Sequence, residues 1–313
     1  MRKRRKSKLK NVFLLLCGLI ALNLGTAVYF IHMEGGSSLL PQAEKTKSQL
    51  VRDDFDPDTI SSPYVYLMSR HSKEPLFDKK SNQKMYPASM TKIMTVLLGV
   101  ENLDNLEQQI DLPDNFGKLI LKNASMAGFS PGEAVTAKDL LYGALLPSGA
   151  DACMGIAVAV SGSESKFVKK MNQKAEEIGM VNTHFVNEDG LHDPDHYSTV
   201  KDIALLLDYA LDNKTFYKIF TTQKYQTNPN QMHPEGMVFI STLVHSTDHT
   251  SFKNGKILGG KTGYTDQAGL CLASLGVKHN EFYILVTGGA PGTNHTEPLH
   301  IEDALNIYGN YLR

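Results

Sequence analysis

Cysteine is nearly absent: Cys17, Cys153 and Cys271 are the three in 313 residues. That is too few for a disulfide scaffold or a cysteine-built zinc site, so Cys153 and Cys271 read as buried thiols rather than a bridge. Arginine is missing from most of the chain, with none between Arg70 and Arg313. Anion recognition in that span must rely on lysine, hydroxyl or backbone donors, not on a bidentate guanidinium. No acid precedes Glu34, whereas seven of the 32 basic residues lie in the first ten positions. The remainder holds 25 basic against 33 acidic residues, a net charge of −8. An acidic body has no electrostatic footprint for nucleic acid. Internal repeats and low-complexity tracts are absent too, and 42% hydrophobic with 21% charged residues is globular composition.

Behind the basic cluster runs an apolar stretch of 20 residues, Val12 to Ile31. A helix needs about 20 such residues to cross a bilayer. Its basic flank favours the cytoplasmic side, which puts the body outside. A cleaved signal peptide has a shorter apolar region of about 7–15 residues, so an uncleaved anchor is the preferred reading. Gly25-Thr26-Ala27 offers the competing cleavage site. The expected organisation is a basic cytoplasmic segment at 1–11, a transmembrane signal anchor at 12–31, a polar linker at 32–60 and one domain at 61–313.

Tyr64-Val65-Tyr66-Leu67-Met68 reads as a buried strand, followed by a turn at Ser72 to Pro75 and a second strand from Leu76. Ile93 to Val100 is a strongly apolar helix, and 137–210 is mainly helical. Strand character returns at Ile257-Leu258, Leu270 to Leu275 and Phe282 to Thr287, before an amphipathic helix at Ile301 to Leu312. Strands at both ends around central helices predict an α/β domain with a helical insertion.

Three segments carry chemistry. Ser89-Met90-Thr91-Lys92 opens the apolar helix, and three-residue spacing puts Ser89 and Lys92 on one face. A serine needs a base to become a nucleophile, and a desolvated neutral lysine can serve. The pattern alone is weak, because Ser-x-x-Lys occurs five times, at Ser7, Ser81, Ser89, Ser163 and Ser198. Only Ser89 combines a helix start with a long apolar run. Lys261-Thr262-Gly263 occurs once, between Gly259-Gly260 and Tyr264. Taken singly it is equally a basic residue at a strand edge. Ser148-Gly149-Ala150-Asp151 precedes a small-residue helix, where a serine or aspartate cap is the plain alternative. His192 and His196 have zinc-like spacing, but Pro194 separates them and the glutamate metallopeptidases use is absent.

Together and in this order the segments resemble the serine-type D-alanyl-D-alanine carboxypeptidases, the low-molecular-mass penicillin-binding proteins. The resemblance runs from about residue 62 to 313. It extends to Tyr86 to Thr95, Pro131-Gly132-Glu133, Asp139 to Gly143, and Thr183 to Asn187 with Asp193 to Thr199. It implies a β-lactamase/transpeptidase-like antiparallel sheet flanked by helices, with an inserted helical subdomain. It also implies Ser89 as nucleophile, Lys92 as its base and Ser148 as proton relay. Lys261 and Thr262 would bind a substrate carboxylate, beside Gly263, and the N–H groups of Ser89 and Tyr264 would form an oxyanion hole. The implied partners are peptidoglycan stem peptides, lipid-linked precursors and β-lactams as covalent inhibitors, at the outer face of a bacterial cytoplasmic membrane. No metal or organic cofactor is implied. Two adjacent ammonium groups repel, so one lysine should titrate low, with Lys92 the better candidate.

One departure stands out: the family's middle motif is usually Ser-x-Asn, and position 150 is alanine. Two alternatives follow. A β-lactamase would carry a Glu-x-x-Leu-x-Asn segment, which is not found between the second and third motifs. A catalytically silent membrane-tethered scaffold would have Ala150 as its lesion.

Overall fold

The computed structural model describes residues 47–247 and 249–313. The basic segment 1–11, the apolar run 12–31 and the linker as far as residue 46 lie outside them. No described helix is long and apolar enough to cross a membrane. Residues 47–60, read from sequence as linker, pack on the domain instead. Helix α1 (Lys47–Leu50) leads to Val51, which bridges Leu312. Leu50, Val51 and Ile60 are buried, so their apolar side chains hold the segment down.

A six-stranded antiparallel sheet organises the domain. Its strands are β1 (Tyr64–Ser69), β2 (Pro75–Lys79), β7 (Ser251–Phe252), β8 (Gly255–Thr265), β9 (Gly269–Lys278) and β10 (Glu281–Ala290). Their order is β2-β1-β10-β9-β8-β7. The intervening strands form two small pairs, β3 (Gln109–Asp111) with β4 (Ala134–Thr136) and β5 (Lys224–Gln226) with β6 (Val238–Ile240). Successive strand residues face opposite ways. Tyr66 and Met68 therefore enter the helical core, while Val65 and Leu67 enter a second core behind the sheet. Burial on both faces explains the unbroken apolar run in β1. His279 and Asn280 take positive φ values of 51° and 64° at the β9–β10 turn, the backbone a tight right-twisted hairpin requires.

The helical layer is built around α2 (Lys92–Asn102), whose residues from Lys92 to Gly99 are all buried. Around it lie α3 (Gly117–Leu121), α4 (Ala137–Leu145), α5 (Ala150–Ser161), α6 (Glu164–Ile178), α7 (Val200–Ala210) and α8 (Lys214–Phe220). Thr136, Ser163 and Thr199 cap α4, α6 and α7 through their hydroxyls. Short α9 (Thr242–Ser246) precedes β7, and α10 (Leu299–Asn306) runs behind the sheet into a π-helical turn at Ile307–Tyr311. Lys278 Nζ donates to the carbonyls of Tyr308, Gly309 and Leu312, satisfying the orphan acceptors of that last turn. The expected antiparallel sheet with an inserted helical region is what forms. The helical stretch is interrupted at 179–199, and that interruption supports the candidate site.

Candidate active site

Ser89 lies in a single 3₁₀ turn, Ala88–Thr91, at the mouth of α2. Ala88 sits at φ 47°, an unfavourable conformation for a residue with a Cβ. The 179–199 segment holds it there. Gly190 approaches so closely that a Cβ on it would lie 1.9 Å from the Ala88 carbonyl oxygen. One turn along α2, Lys92 Nζ donates to Ser89 Oγ at 2.9 Å and also to the Asp189 carbonyl. Thr95 Oγ1 donates to the neighbouring Glu188 carbonyl at 2.6 Å. Thr91 Oγ1 meets His196 Nε2 at 2.8 Å, while Val186 N–H donates to His196 Nδ1 at 3.2 Å. The imidazole is therefore neutral with its proton on Nε2, and burial pushes its pKa down to about 3. His196 is thus a strut under the serine turn, not a metal ligand paired with His192.

The second wall comes from the segment between α4 and α5. Ser148 takes φ 68°, and its Oγ is buried with no partner among the described residues. Ala150 is 1% exposed, with its N–H on the Ser125 carbonyl at 2.8 Å. Asp151 reaches further than a cap. Its carboxylate accepts from Ala152 N–H at 2.9 Å and from the loop N–H groups of Ala127, Gly128 and Phe129 at 2.8, 3.0 and 3.0 Å.

The facing wall is β8. Lys261 is fully enclosed and donates to the Thr262 carbonyl at 2.9 Å. Burial, and secondarily the charge of Lys92, hold Lys261 well below the usual lysine range. Thr262 Oγ1 donates to Thr242 Oγ1 on α9 at 2.7 Å, and Thr242 N–H donates to the Leu146 carbonyl at 3.0 Å. Gly263 lets β8 pass against the nucleophile turn: a Cβ there would lie 3.0 Å from Ser89 N. Tyr264 Oη donates to Asp266 Oδ1 at 2.7 Å, which raises its pKa.

Ser89, Ser125, Ser148, Thr262, Gly263 and Tyr264 line one open cleft of about 440 Å³. Lys92 and Lys261 lie beneath its surface. The segments singled out at 89–92, 148 and 261–264 are thus brought together. Among the described residues arginine stays away: Arg52 pairs with Asp54, Arg70 with Asp208 and Asp212, and Arg313 with the Val51 carbonyl and Asp53. Cys153 and Cys271 are free, buried thiols. A serine hydroxyl on a lysine amine, beside backbone N–H groups and a second buried hydroxyl, is equipment for acyl transfer. Sequence reasoning missed Thr242, Ser125 and the Glu188 and Asp189 carbonyls, and weighed His196 only as a metal ligand. The match over 183–187 and 193–199 pointed at that segment but carried no role.

Residues 51–292 match the Peptidase_S11 family, D-alanyl-D-alanine carboxypeptidase. D-alanyl-D-alanine carboxypeptidase DacF of Bacillus subtilis is 38% identical over 228 residues, which cover 72% of this chain and 56% of that protein. The carboxypeptidase of Streptomyces sp. K15 is 32% identical over 223 residues, covering 68% of this chain and 76% of that one. The chain thus spans little more than half of DacF. The solved structure of the Streptomyces K15 DD-transpeptidase superposes with a TM-score of 0.71 at 26% identity, over 80% of this chain and 96% of that one. On the match over most of its described length, this chain belongs to the Peptidase_S11 family of D-alanyl-D-alanine carboxypeptidases.

Proposed function

We propose that this protein is a membrane-anchored D,D-carboxypeptidase that removes the terminal D-alanine from peptidoglycan stem peptides ending in D-Ala-D-Ala, including those on lipid-linked precursors. The observation that carries the reading is Lys92 Nζ at 2.9 Å from Ser89 Oγ, in a cleft whose facing wall is Thr262–Tyr264. The anchor rests on the basic cluster and the apolar run at 12–31. These features support a body at the outer face of a bacterial cytoplasmic membrane.

Lys92, held on the Asp189 carbonyl, is the base that takes the Ser89 hydroxyl proton. Ser89 Oγ attacks the penultimate D-alanine carbonyl, and the negative charge collects on oxygen facing the Ser89 and Tyr264 N–H groups. Ser148 passes the proton from Lys92 to the leaving nitrogen, the C–N bond breaks, and D-alanine departs. Water then adds to the ester and restores Ser89. Thr262 receives the terminal carboxylate from the cleft wall with Lys261 enclosed beneath it, and the carboxylate charge favours a protonated Lys261. β-Lactams acylate the same oxygen by ring opening. A relative known both as carboxypeptidase and as DD-transpeptidase favours a second reading, in which an amine replaces water as acyl acceptor.

Intact-mass analysis after exposure to a penicillin tests the reading. One adduct is expected on the wild type and none on Ser89→Ala, and an adduct persisting in the variant overturns Ser89 as nucleophile. A peptide ending in D-Ala-D-Ala should release free D-alanine. An aminolysis product with added amine would favour the transpeptidase alternative.

A further inference from the structure

Position 150 does not face the cleft. Ala150 is 1% exposed and is not part of the lining, because the 123–129 loop lies over it. The residue presented at that place is Ser125, an exposed cleft residue whose carbonyl holds the Ala150 N–H at 2.8 Å. The loop is not free to swing away, because three of its N–H groups end on the buried Asp151 carboxylate.

The opposite wall is a strand edge. β7 pairs with β8 only at Gly255 and Lys256, so β8 beyond them has no strand neighbour on that side among the described residues. An extended peptide can pair there through its main chain. Backbone groups along a strand point alternately to its two sides. Those turned away from β8 face the Ser125 side, and each must find a partner when the peptide excludes water. A hydroxyl can both donate and accept, so it can serve either an N–H or a C=O.

We infer that Ser125 is a substrate-contacting residue whose hydroxyl hydrogen-bonds the outward-facing backbone amide of the bound acyl donor, with Asp151 as the positioning residue that fixes its loop. The inference rests on the acyl-enzyme reading and extends it to a residue outside the three motifs.

The test measures acylation rates of the full chain by intact mass with two probes. One is a penicillin with an acylamino side chain, which presents that amide. The other is 6-aminopenicillanic acid, the same nucleus with a free amine. Ser125→Ala should slow the first about tenfold, the worth of one hydrogen bond, and change the second by less than about twofold. Ser125→Thr, which keeps the hydroxyl, should recover most of the loss. Equal slowing with both probes makes Ser125 merely structural and overturns the inference, as does an unchanged rate with the first probe. A wild type that forms no adduct with either probe overturns the acyl-enzyme reading and this inference with it. A labelled wild type with an indifferent Ser125→Ala overturns the inference alone.

Discussion

Glu188 shows what a single buried side chain costs beside this site. Its carbonyl anchors Thr95, yet its own Oε2 is buried with no partner among the described residues. Burial, reinforced by the Asp189 and Glu164 carboxylates, pushes its pKa up to about 8. The folded chain therefore keeps a proton that the unfolded chain releases near 4.5. The sign follows: the stability tied to the protonated carboxyl is complete below about 4.5 and is lost as pH rises through about 8. Glu188→Gln cannot titrate. Its urea midpoint should gain on the wild type as pH climbs through that interval, and a constant gap would refute the assignment. Gly190 illustrates the opposite case, in which a missing side chain admits the Ala88 carbonyl at a distance no Cβ allows.

Among elements, β1, β2 and the apolar centres of β8, β9 and β10 were legible as local apolar runs, whereas the two- and three-residue strands β3 to β7 were too short to show one. The β1 run, buried on both faces, and the β9–β10 turn at His279-Asn280 follow from local sequence. Ser89, Lys92, Ser148 and 261–264 were singled out by the joint resemblance of three segments in order, since each pattern taken alone was equally a cap or a strand-edge residue. His196 under Thr91, and the Asp189 carbonyl on Lys92, were not, because partners about a hundred residues apart meet only once the sheet and helices have assembled. The 47–60 segment was misread as linker because polar residues such as Asp53 and Asp54 dominate its composition, while three apolar positions decide its docking. Helix α10 shows how such docking is secured. The Asp303 carboxylate accepts from Ser61 N–H at 2.9 Å, Ser62 N–H at 2.7 Å and Ser62 Oγ at 2.6 Å. Asp303→Ala should lower unfolding free energy by about 3 kcal/mol in denaturant titrations, since it orphans buried donors. It should leave penicillin acylation unchanged, because α10 enters the cleft wall at His300 and not at Asp303.

At the scale of the whole molecule, one sheet separates two apolar layers, a helical one that carries α2 and a rear one closed by the first and last described residues. His300 sits 4% exposed at the cleft, and burial pushes its pKa down to about 4. Its unfolded counterpart protonates near 6.5, so stability is lost as pH falls from about 6.5 to about 4. Relative to His300→Gln, the wild type should lose about 1.4 kcal/mol per pH unit in that window, read from denaturant midpoints. Parallel curves would contradict a neutral His300. The rear layer has another consequence. Val51 and Leu312 are bridged partners, and Arg313 N–H rests on the Leu50 carbonyl. In a variant from which residues 1–46 are removed, a short peptide can therefore join residue 313 to residue 47, and a new start can be cut at the exposed tip around Met232. Such a circularly permuted chain should keep every strand neighbour and still take up a penicillin adduct at Ser89 in intact-mass analysis, and loss of the adduct would show that the order of synthesis matters to this architecture.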